Sequence, residues 1–216
     1  MARVAVFGGS FNPIHYGHLL LADEVLERLA LDRVLFVPAA RPPHKDPAEL
    51  APADDRHAMV ALATAGHAGF QVLDLELRRP GPSYTVDTLE TLATGGDDLY
   101  LLLGSEMFLD LLTWRRPRRI AELARLVVVP RWGSAFDPEG EAARKVLRGL
   151  GLTGFAEADG SPVARDRALL ARVTSLPLSS SDLRARARAG RSLAYRVPER
   201  VAEYIRTRGL YREAHP

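Results

Sequence analysis

The sequence predicts an α/β fold, a doubly wound, mostly parallel sheet with a small helical extension at the C-terminus. Short apolar runs rich in Val, Leu and Phe alternate with segments of helical periodicity. This alternation is typical of a parallel sheet that is covered by helices on both faces. The first two apolar runs flank one broad helical stripe, so we expect the chain to begin with a βαβ unit.

The individual elements follow from the same periodicities. We predict strands at residues 4–7, 34–37, 70–73, 99–103 and 126–129, and a weaker one at 173–176. We predict helices at residues 18–31, 54–65, 85–93, 120–124, 139–150, 181–189 and 198–208. The last helix has Pro198 in its first turn and Gly209 just beyond its end, which are common boundary residues.

Length and composition indicate one hydrophobic core. The chain has 216 residues, of which 47% are hydrophobic, enough for one substantial core. We therefore expect a single domain over residues 1–216, with a core at 1–175 and a helical part at 176–216. No repeat or low-complexity tract divides the chain.

Charge and cysteine content exclude several classes of function. The formal net charge is only +2 and the two signs are interspersed, so bulk charge does not argue for a nucleic-acid partner. With no Cys, a disulfide framework, a Cys-based zinc site and a thiolate nucleophile are impossible. The chain reads directly into a strand and contains no run of membrane-spanning length, so we expect a cytoplasmic protein without a membrane partner.

A phosphate-binding turn is predicted near the N-terminus. Gly8, Gly9 and Ser10 follow the first strand and precede the first helix, so their backbone N–H groups can approach phosphate oxygens at a helix N-terminus. The dinucleotide and P-loop glycine patterns are both absent. Two glycines after a strand could equally be an ordinary tight turn.

Two histidines at the start of the first helix favour the phosphate interpretation. His15 and His18 are three residues apart, so both rings lie on one face beside the glycines. Each ring can donate a hydrogen bond to a phosphate oxygen. The pair could instead be part of a metal site with His44 as a third ligand, or simply polar surface, but no carboxylate completes an obvious metal motif nearby.

Four further segments contain polar residues near predicted strand ends or helix starts. They are VPAARPPHK at 37–45, PSYTVDTL at 82–89, LGSE at 103–106 with LLTWRRP at 111–117, and LSSSDLR at 178–184. Loops at the carboxyl ends of parallel strands are where α/β sheets bind ligands. Taken alone, each segment is also explained as an exposed loop, a capped helix start or, for Trp114, packing between helices.

The segment GGSFNPIHYGHL at 8–19 is similar to the G-[ST]-F-D-P-x-H-x-G-H motif of the nucleotidyltransferase superfamily that includes nicotinate-mononucleotide and phosphopantetheine adenylyltransferases. The other segments resemble V-P-x-x-x-P-P-H-K, S-Y-T-x-D-T-L, G-[AS]-D followed by W, and I-S-S-T-x-I-R of the bacterial nicotinate-mononucleotide adenylyltransferases. Asn12 and Glu106 replace Asp, Ser181 replaces Thr and Leu183 replaces Ile. Five segments in the family's order reach from residue 8 to residue 184, so the resemblance covers nearly the whole chain.

The resemblance implies a Rossmann-like nucleotidyltransferase fold, with residues 1–175 as the nucleotide-binding core, and it implies roles for individual residues. The implied catalytic residues are His15, His18, Lys45 and Arg184, with no protein-held metal. The implied ATP-binding residues are Gly8, Gly9, Ser10, Phe11, His15, His18, Gly104, Glu106, Ser180, Ser181 and Arg184. The implied nicotinate mononucleotide-binding residues are Lys45, Tyr84, Thr85, Trp114 and Arg115.

The resemblance also implies a reaction. We expect adenylyl transfer from ATP to nicotinate mononucleotide, giving nicotinate adenine dinucleotide and pyrophosphate in NAD biosynthesis, with Mg²⁺ bound mainly by the triphosphate and water. The alternatives are transfer to nicotinamide mononucleotide or phosphopantetheine, and a non-catalytic nucleotide-binding module on the same fold. A homo-oligomer is left open.

Overall fold

The computed structural model describes residues 1–161 and 163–212 and contains one seven-stranded sheet. Its strands are β1 (Arg3–Gly9), β2 (Arg33–Pro38), β3 (Phe70–Val72), β4 (Asp98–Gly104), β5 (Arg125–Val129), β6 (Gly154–Glu157) and β7 (Arg167–Leu170). Its α-helices are α1 (Tyr16–Arg28), α2 (Ala53–Thr64), α3 (Leu75–Arg78), α4 (Thr85–Ala93), α5 (Ser105–Leu109), α6 (Pro117–Leu123), α7 (Glu141–Leu150), α8 (Ser180–Arg188) and α9 (Glu199–Arg208). Short 3₁₀ helices lie at Pro47–Glu49 and Leu111–Thr113.

The strand order determines where a ligand can bind. The strands are arranged β3-β2-β1-β4-β5-β7-β6, and every neighbouring pair is parallel. The chain proceeds outward from β1 through β2 to β3 and then returns to β4 on the other side of β1. This reversal opens a crevice at the carboxyl ends of β1 and β4, which is where doubly wound sheets bind ligands.

The sheet is covered on both faces, which confirms the predicted fold class. Successive residues of β1 point to opposite faces: Ala5 and Phe7 join a core with α1, α2, α8 and α9, whereas Val4 and Val6 join a core with α4, α5, α6 and α7. Because α8 and α9 pack into the same core as α1 and α2, the C-terminal helices are continuous with the sheet domain.

The prediction of a strand at 173–176 is wrong, and two real strands were missed. The chain leaves the sheet after Ala171, whose N–H donates to the carbonyl of Val128 over 2.9 Å, and residues 173–176 form no strand. The missed strands β6 and β7 have only four residues each. Their Ala-rich and Leu-rich sequences carry no β-branched signal, so only their pairing in the sheet makes them strands.

Helix boundaries also differ from the predicted ones. Helix α1 begins at Tyr16, two residues before the predicted start, because His15 is its N-cap with an extended backbone. It ends at Arg28, and Ala30 then takes a positive φ of 45°. Helices α3 and α5 are too short for a periodicity to indicate them. Among the described residues, no helix has both the length and the apolar character needed to cross a membrane.

Candidate active site

The candidate site lies at the carboxyl ends of β1, β2, β4 and β5, beside the crevice where the strand order reverses. The loop after β1 ends at His15, and His18 lies in the first turn of α1; the loop after β2 carries Lys45, and Gly104 ends β4. Helix α8 reaches this loop cluster through its first turn: the hydroxyl of Ser180 donates to the carbonyl of Pro13 over 2.9 Å. Segments far apart in the sequence therefore meet at one edge of the sheet.

The two glycines are strand residues, which corrects the prediction of a turn that starts at Gly8. Strand β1 continues through Gly9, with Gly8 paired to Val37 and Gly9 paired to Pro38. A Cβ at Gly8 would meet nothing within 4 Å, whereas a Cβ at Gly9 would lie 3.2 Å from the ring of Phe11. Gly8 therefore leaves open space beside the backbone, and Gly9 is needed for the close approach of Phe11.

The rings of His15 and His18 lie together, as their spacing predicts, and the structure shows them stacked with centroids 3.7 Å apart. The backbone N–H of His15 donates to Nδ1 of His18 over 3.3 Å. Since Nδ1 accepts, the neutral His18 ring carries its proton on Nε2 and can donate it to an oxygen. His15 is 6% exposed, and its Nδ1 atom is buried without a protein partner.

Both histidines are held in the neutral state. Burial, with a contribution from the positive charge of Arg131, lowers the pKa of His15 from 6.5 to about 4. Burial and the neighbouring charges of His15, Arg131 and Lys45 lower the pKa of His18 well below 6.5. At neutral pH the pair consists of uncharged hydrogen-bond donors, with the cations Arg131 and Lys45 nearby.

Packing around Phe11 fixes His18. Phe11 has a positive φ of 44°, and its ring lies edge-on to His18 at 5.2 Å and edge-on to Phe7 at 5.4 Å. Phe11 is 2% exposed. In this structure the predicted ATP-binding residue Phe11 is thus a buried support for the histidine pair, and ligand contact through its side chain would be limited.

Lys45 lies on an exposed loop but is close to two cations, Arg184 and Arg56. Burial and the charge of Arg184 lower the pKa of Lys45, and Glu49 acts in the opposite direction. The side chain of Arg184 is only 12% exposed. It donates a hydrogen bond to the carbonyl of Asn12 over 3.1 Å. Lys45 and Arg184 therefore form a positive cluster next to the histidine loop.

The start of α8 supplies hydroxyl groups to the same region. Ser179 caps the helix by accepting the N–H of Asp182 over 3.1 Å. Ser181 is exposed, and its hydroxyl lies 3.5 Å from the guanidinium of Arg184. The positive end of the helix macrodipole adds to the charge of Arg184 and favours an anion here.

A second group of predicted residues surrounds the start of α4. The Arg115 guanidinium lies over the ring of Tyr84, 4.8 Å from the centroid, and Thr85 is the first residue of the helix. Trp114 is partly buried against the core on this face. Reciprocal hydrogen bonds between Ser83 and Arg41 connect this group with the loop after β2.

Glu106 is paired with a cation that the sequence analysis did not single out. A carboxylate oxygen of Glu106 accepts from Arg131 over 2.7 Å, and a Cβ added at Gly104 would lie 3.9 Å from Cδ of Arg131. Arg131 lies two residues after the carboxyl end of β5. Because ligands bind at the carboxyl ends of parallel strands, this position could have identified Arg131 as a site residue. The residue adds positive charge near both histidines.

The alternative of a protein-held metal site finds no support in the structure. Within residues 1–161 and 163–212, no group of three or more His, Cys, Asp and Glu side chains could hold a metal ion. His44, the proposed third ligand, is exposed on the loop after β2. Its immediate neighbours in the chain are Pro43 and Lys45, which are not metal ligands.

Asn12, Arg56 and Tyr211 make hydrogen bonds that hold the loops of the site, yet the sequence indicated Asn12 only as a replacement for Asp and did not single out Arg56 or Tyr211. The Asn12 amide donates to the carbonyl of Glu49 over 2.9 Å and accepts the N–H of Ala51 over 3.1 Å. Arg56 shares a helix face with Met59 and Val60 at three- and four-residue spacing, which is the signal that could have identified it as buried.

Comparisons with known proteins agree with this arrangement. The cytidylyltransferase-like family model matches residues 6–186. A Thermomicrobium roseum protein named "Probable nicotinate-nucleotide adenylyltransferase" is 43% identical over 98% of this chain and 92% of its own length. A Thermus thermophilus protein of the same name is 44% identical over 97% of this chain and 100% of its own.

A solved structure has the same fold. Nicotinic acid mononucleotide adenylyltransferase of Plasmodium falciparum, complexed with NaAD, superposes with a TM-score of 0.76 over 98% of both chains. Its sequence identity is 18%, so this likeness concerns the architecture alone.

Proposed function

The chain belongs to the cytidylyltransferase-like family and, within it, to the nicotinate-nucleotide adenylyltransferases, and we propose from this that it transfers the adenylyl group of ATP to nicotinate mononucleotide. The products are nicotinate adenine dinucleotide and pyrophosphate, and the setting is NAD biosynthesis. The observation that carries the proposal is the neutral, stacked pair His15 and His18 beside Lys45 and Arg184 at the carboxyl end of β1.

The chemical step needs positioning and charge stabilisation rather than a base. A 5′-phosphate oxygen of nicotinate mononucleotide attacks the α-phosphorus of ATP, and the bond from that phosphorus to the bridging oxygen of the β-phosphate breaks. A phosphate monoester has a second pKa of about 6 and is mostly dianionic at neutral pH. The electron pair leaves with pyrophosphate, so the protein must hold two polyanions in line and stabilise the leaving group.

The histidine pair suits the triphosphate. A neutral imidazole donates a hydrogen bond without the desolvation cost of a buried charge. His18 can donate from Nε2 because its Nδ1 accepts from the backbone of His15. We propose that these donors contact phosphate oxygens, that the open space beside Gly8 lets the nucleotide approach closely, and that Gly9 and Ser10 continue the backbone next to it.

Lys45 and Arg184 suit the charge that develops on the leaving pyrophosphate. Arg184 offers a planar fork for two oxygens, and Lys45 a compact charge. Ser180 and Ser181 lie at the start of the same helix as Arg184. We propose that Gly104 and Glu106, at the end of β4, contact the adenosine part of ATP.

The second group of residues suits the pyridine nucleotide. Trp114 provides a flat surface for an electron-poor pyridinium ring. Thr85 at the N-terminus of α4 and the Arg115 guanidinium provide donors for a carboxylate, and a neutral carboxamide would gain less from them. We propose that Tyr84, Thr85, Trp114 and Arg115 select nicotinate over nicotinamide.

Mg²⁺ fits the chemistry of the substrates better than that of the protein. Most of the proposed site residues are imidazoles, hydroxyls and cations, and the carboxylate of Glu106 is paired with Arg131, whereas Mg²⁺ prefers carboxylate, phosphate and water oxygens. We propose that Mg²⁺ enters with ATP and neutralises part of the triphosphate charge. Residues of this chain then hold the remaining oxygens.

The domain organisation and the partners follow from the proposed function. We propose one domain over residues 1–216, with a nucleotide-binding core at 1–175 and a helical part at 176–216; residues 162 and 213–216 lie outside the described residues. ATP and nicotinate mononucleotide are the proposed partners, without nucleic acid or membrane. The cytoplasmic location and the homo-oligomeric state stay predictions.

Pyrophosphate release measures this function directly. The protein with ATP and Mg²⁺ should release pyrophosphate when nicotinate mononucleotide is added, more slowly with nicotinamide mononucleotide, and not with phosphopantetheine. Faster release with nicotinamide mononucleotide or with phosphopantetheine would identify that compound as the acceptor instead. Absence of release with every pyridine mononucleotide would overturn the proposal.

A further inference from the structure

Arg56 is a buried cation near the site for which the proposed reaction assigns no role. It is 1% exposed, and in the described part of the chain no carboxylate lies within ion-pairing distance of it. A buried charge is costly unless hydrogen bonds satisfy it. Helix α2 also buries Asp55 and Thr64, but Asp55 is paired with Tyr204 and Arg208 from α9, whereas Arg56 has no such charged partner among the described residues, so its burial calls for an explanation.

Four backbone carbonyl groups satisfy the guanidinium. Nη1 donates to Ser10 over 2.8 Å and to Ala39 over 2.6 Å. Nη2 donates to Ala40 over 3.0 Å, and Nε donates to Ala51 over 2.9 Å. One planar group thus bonds three separate stretches of backbone, a geometry that the fixed fork of arginine permits and a lysine ammonium does not.

These carbonyl groups mark the two loops that carry the proposed phosphate contacts. Ser10 directly follows β1 and leads to His15, while Ala39, Ala40 and Ala51 lie at the two ends of the loop that carries Lys45. The middle of that loop is exposed. Its geometry relative to the histidines therefore depends on how its ends are held.

Asn12 adds a second connection between the same loops. Its side-chain amide bonds the backbone of Glu49 and Ala51, next to the carbonyl that Arg56 holds. The end of the Lys45 loop is consequently bonded from two sides, while its start, at Ala39 and Ala40, receives side-chain hydrogen bonds from Arg56.

We propose that Arg56 is a positioning residue: its guanidinium holds both ends of the loop at residues 39–52 against the backbone of Ser10, and so places Lys45 relative to His15 and His18. The part that concerns catalysis rests on the proposed adenylyl transfer. The part that concerns loop geometry does not.

The test compares Arg56→Met with Val60→Ala. Val60 is 0% exposed and lies one turn further along the same helix, so its truncation weakens the core without touching either loop. Hydrogen exchange of the substrate-free protein should show amides of residues 39–51 opening about 10-fold more in Arg56→Met than in Val60→Ala, with β1 and β4 equally protected in both.

Steady-state kinetics provide the second readout. In Arg56→Met, kcat/KM for ATP should fall about 100-fold, the size expected when catalytic groups are displaced by about 1 Å. Val60→Ala should keep kcat/KM within about 3-fold of the wild type at temperatures well below its Tm. Equal loop exchange in the two variants, or equal kcat/KM, would overturn the role of Arg56.

Arg56→Lys covers the case in which Arg56→Met does not fold. It retains the charge and most of the volume but not the fork, so its kcat/KM should remain at least about 10-fold below that of the wild type; full activity would mean that charge alone matters and would overturn the proposal. If the wild type releases no pyrophosphate, the proposed function fails, and the exchange experiment still decides whether Arg56 orders the loops.

Discussion

The hydroxyl of Tyr211 donates a 2.9 Å hydrogen bond to the side-chain oxygen of Asn12, although the two residues are 199 positions apart. Asn12 is 1% exposed, and the same oxygen accepts the N–H of Ala51. Burial raises the pKa of Tyr211 well above its ordinary value, so the phenol keeps its proton at neutral pH. The segment after α9 thereby helps to hold the loop that leads to His15.

Replacing this hydroxyl should weaken the fold. Tyr211→Phe should lower the free energy of unfolding by about 1 kcal/mol, the usual net value of one buried hydrogen bond. Tyr195 is 95% exposed, so Tyr195→Phe is a matched control and should change the unfolding free energy by less than about 0.5 kcal/mol. Urea denaturation measures both; equal effects would contradict a stabilising bond between Tyr211 and Asn12.

Asn12→Asp should also destabilise the protein. The amide nitrogen donates to the carbonyl of Glu49, and a carboxylate would present an oxygen to that carbonyl instead. The loss should be about 1–3 kcal/mol, the cost of leaving a buried polar group unsatisfied. Thermal unfolding at neutral pH measures it, and an unchanged or higher Tm would show that nearby cations compensate for the lost donor.

Gly17→Ala should separate stability from activity. Alanine in place of glycine within a helix ordinarily stabilises it by up to about 1 kcal/mol. Here the added Cβ would lie 3.0 Å from Nδ1 and 3.1 Å from Cε1 of His15, so the ring must move. We expect unchanged or slightly higher stability with kcat/KM about 10-fold lower, and full activity would argue against a dependence on the His15 position.

His18→Ala should lower turnover far more than it weakens substrate binding. Loss of a donor to developing charge typically lowers kcat by about 100-fold or more, whereas calorimetry should find the Kd for nicotinate mononucleotide within about 3-fold of wild type. His67→Gln is the control, because His67 precedes β3 and lies towards the opposite ends of the strands. Equal losses in turnover and binding would rule against a transition-state role for His18.

Stability should fall in mild acid because of the histidine pair. The pKa of His15 is about 4 in the folded protein and 6.5 when unfolded, so between these values only the unfolded chain binds the proton. The contribution of neutral His15 to the free energy of unfolding is fully present above pH 6.5 and is lost as the pH falls to about 4. The loss is about 3 kcal/mol. His18, whose pKa is also lowered, acts in the same direction.

The matching measurement is the pH dependence of urea unfolding for the wild type and His15→Gln. The free energy of unfolding of the wild type minus that of His15→Gln should be constant above neutral pH. It should decrease as the pH is lowered through the ordinary histidine range. A difference that stays constant down to acidic pH would mean that His15 is readily protonated in the folded protein.

The predictable part of the fold was the part with a local periodic signal. The predicted strands at 4–7, 34–37, 99–103 and 126–129 all lie within observed strands, because buried parallel strands are continuous apolar runs. Strands β6 and β7 could not be recognised, since their four-residue sequences have no strand preference of their own. Pairing with neighbours in the sheet decides their conformation.

The predictable part of the site was the part encoded in short spacings. The three-residue spacing of His15 and His18 is enough to stack their rings, and the serines before Arg184 are enough to begin a helix. Arg131 and the roles of Arg56 and Tyr211 depend on contacts between residues far apart in the chain. Local patterns indicate that Arg56 is buried and that Arg131 follows a strand end, but they do not identify the distant residues that each side chain contacts.

By itself, then, the sequence determined the doubly wound sheet and the family to which its five segments point, and it led to the prediction of a phosphate-binding loop after β1, because each depends on local spacing. Only the tertiary structure decided that Gly8 and Gly9 belong to the strand, that burial keeps both histidines neutral, and that Arg56 holds two loops together. Those properties arise from burial and from long-range hydrogen bonds, which exist only once the chain has folded.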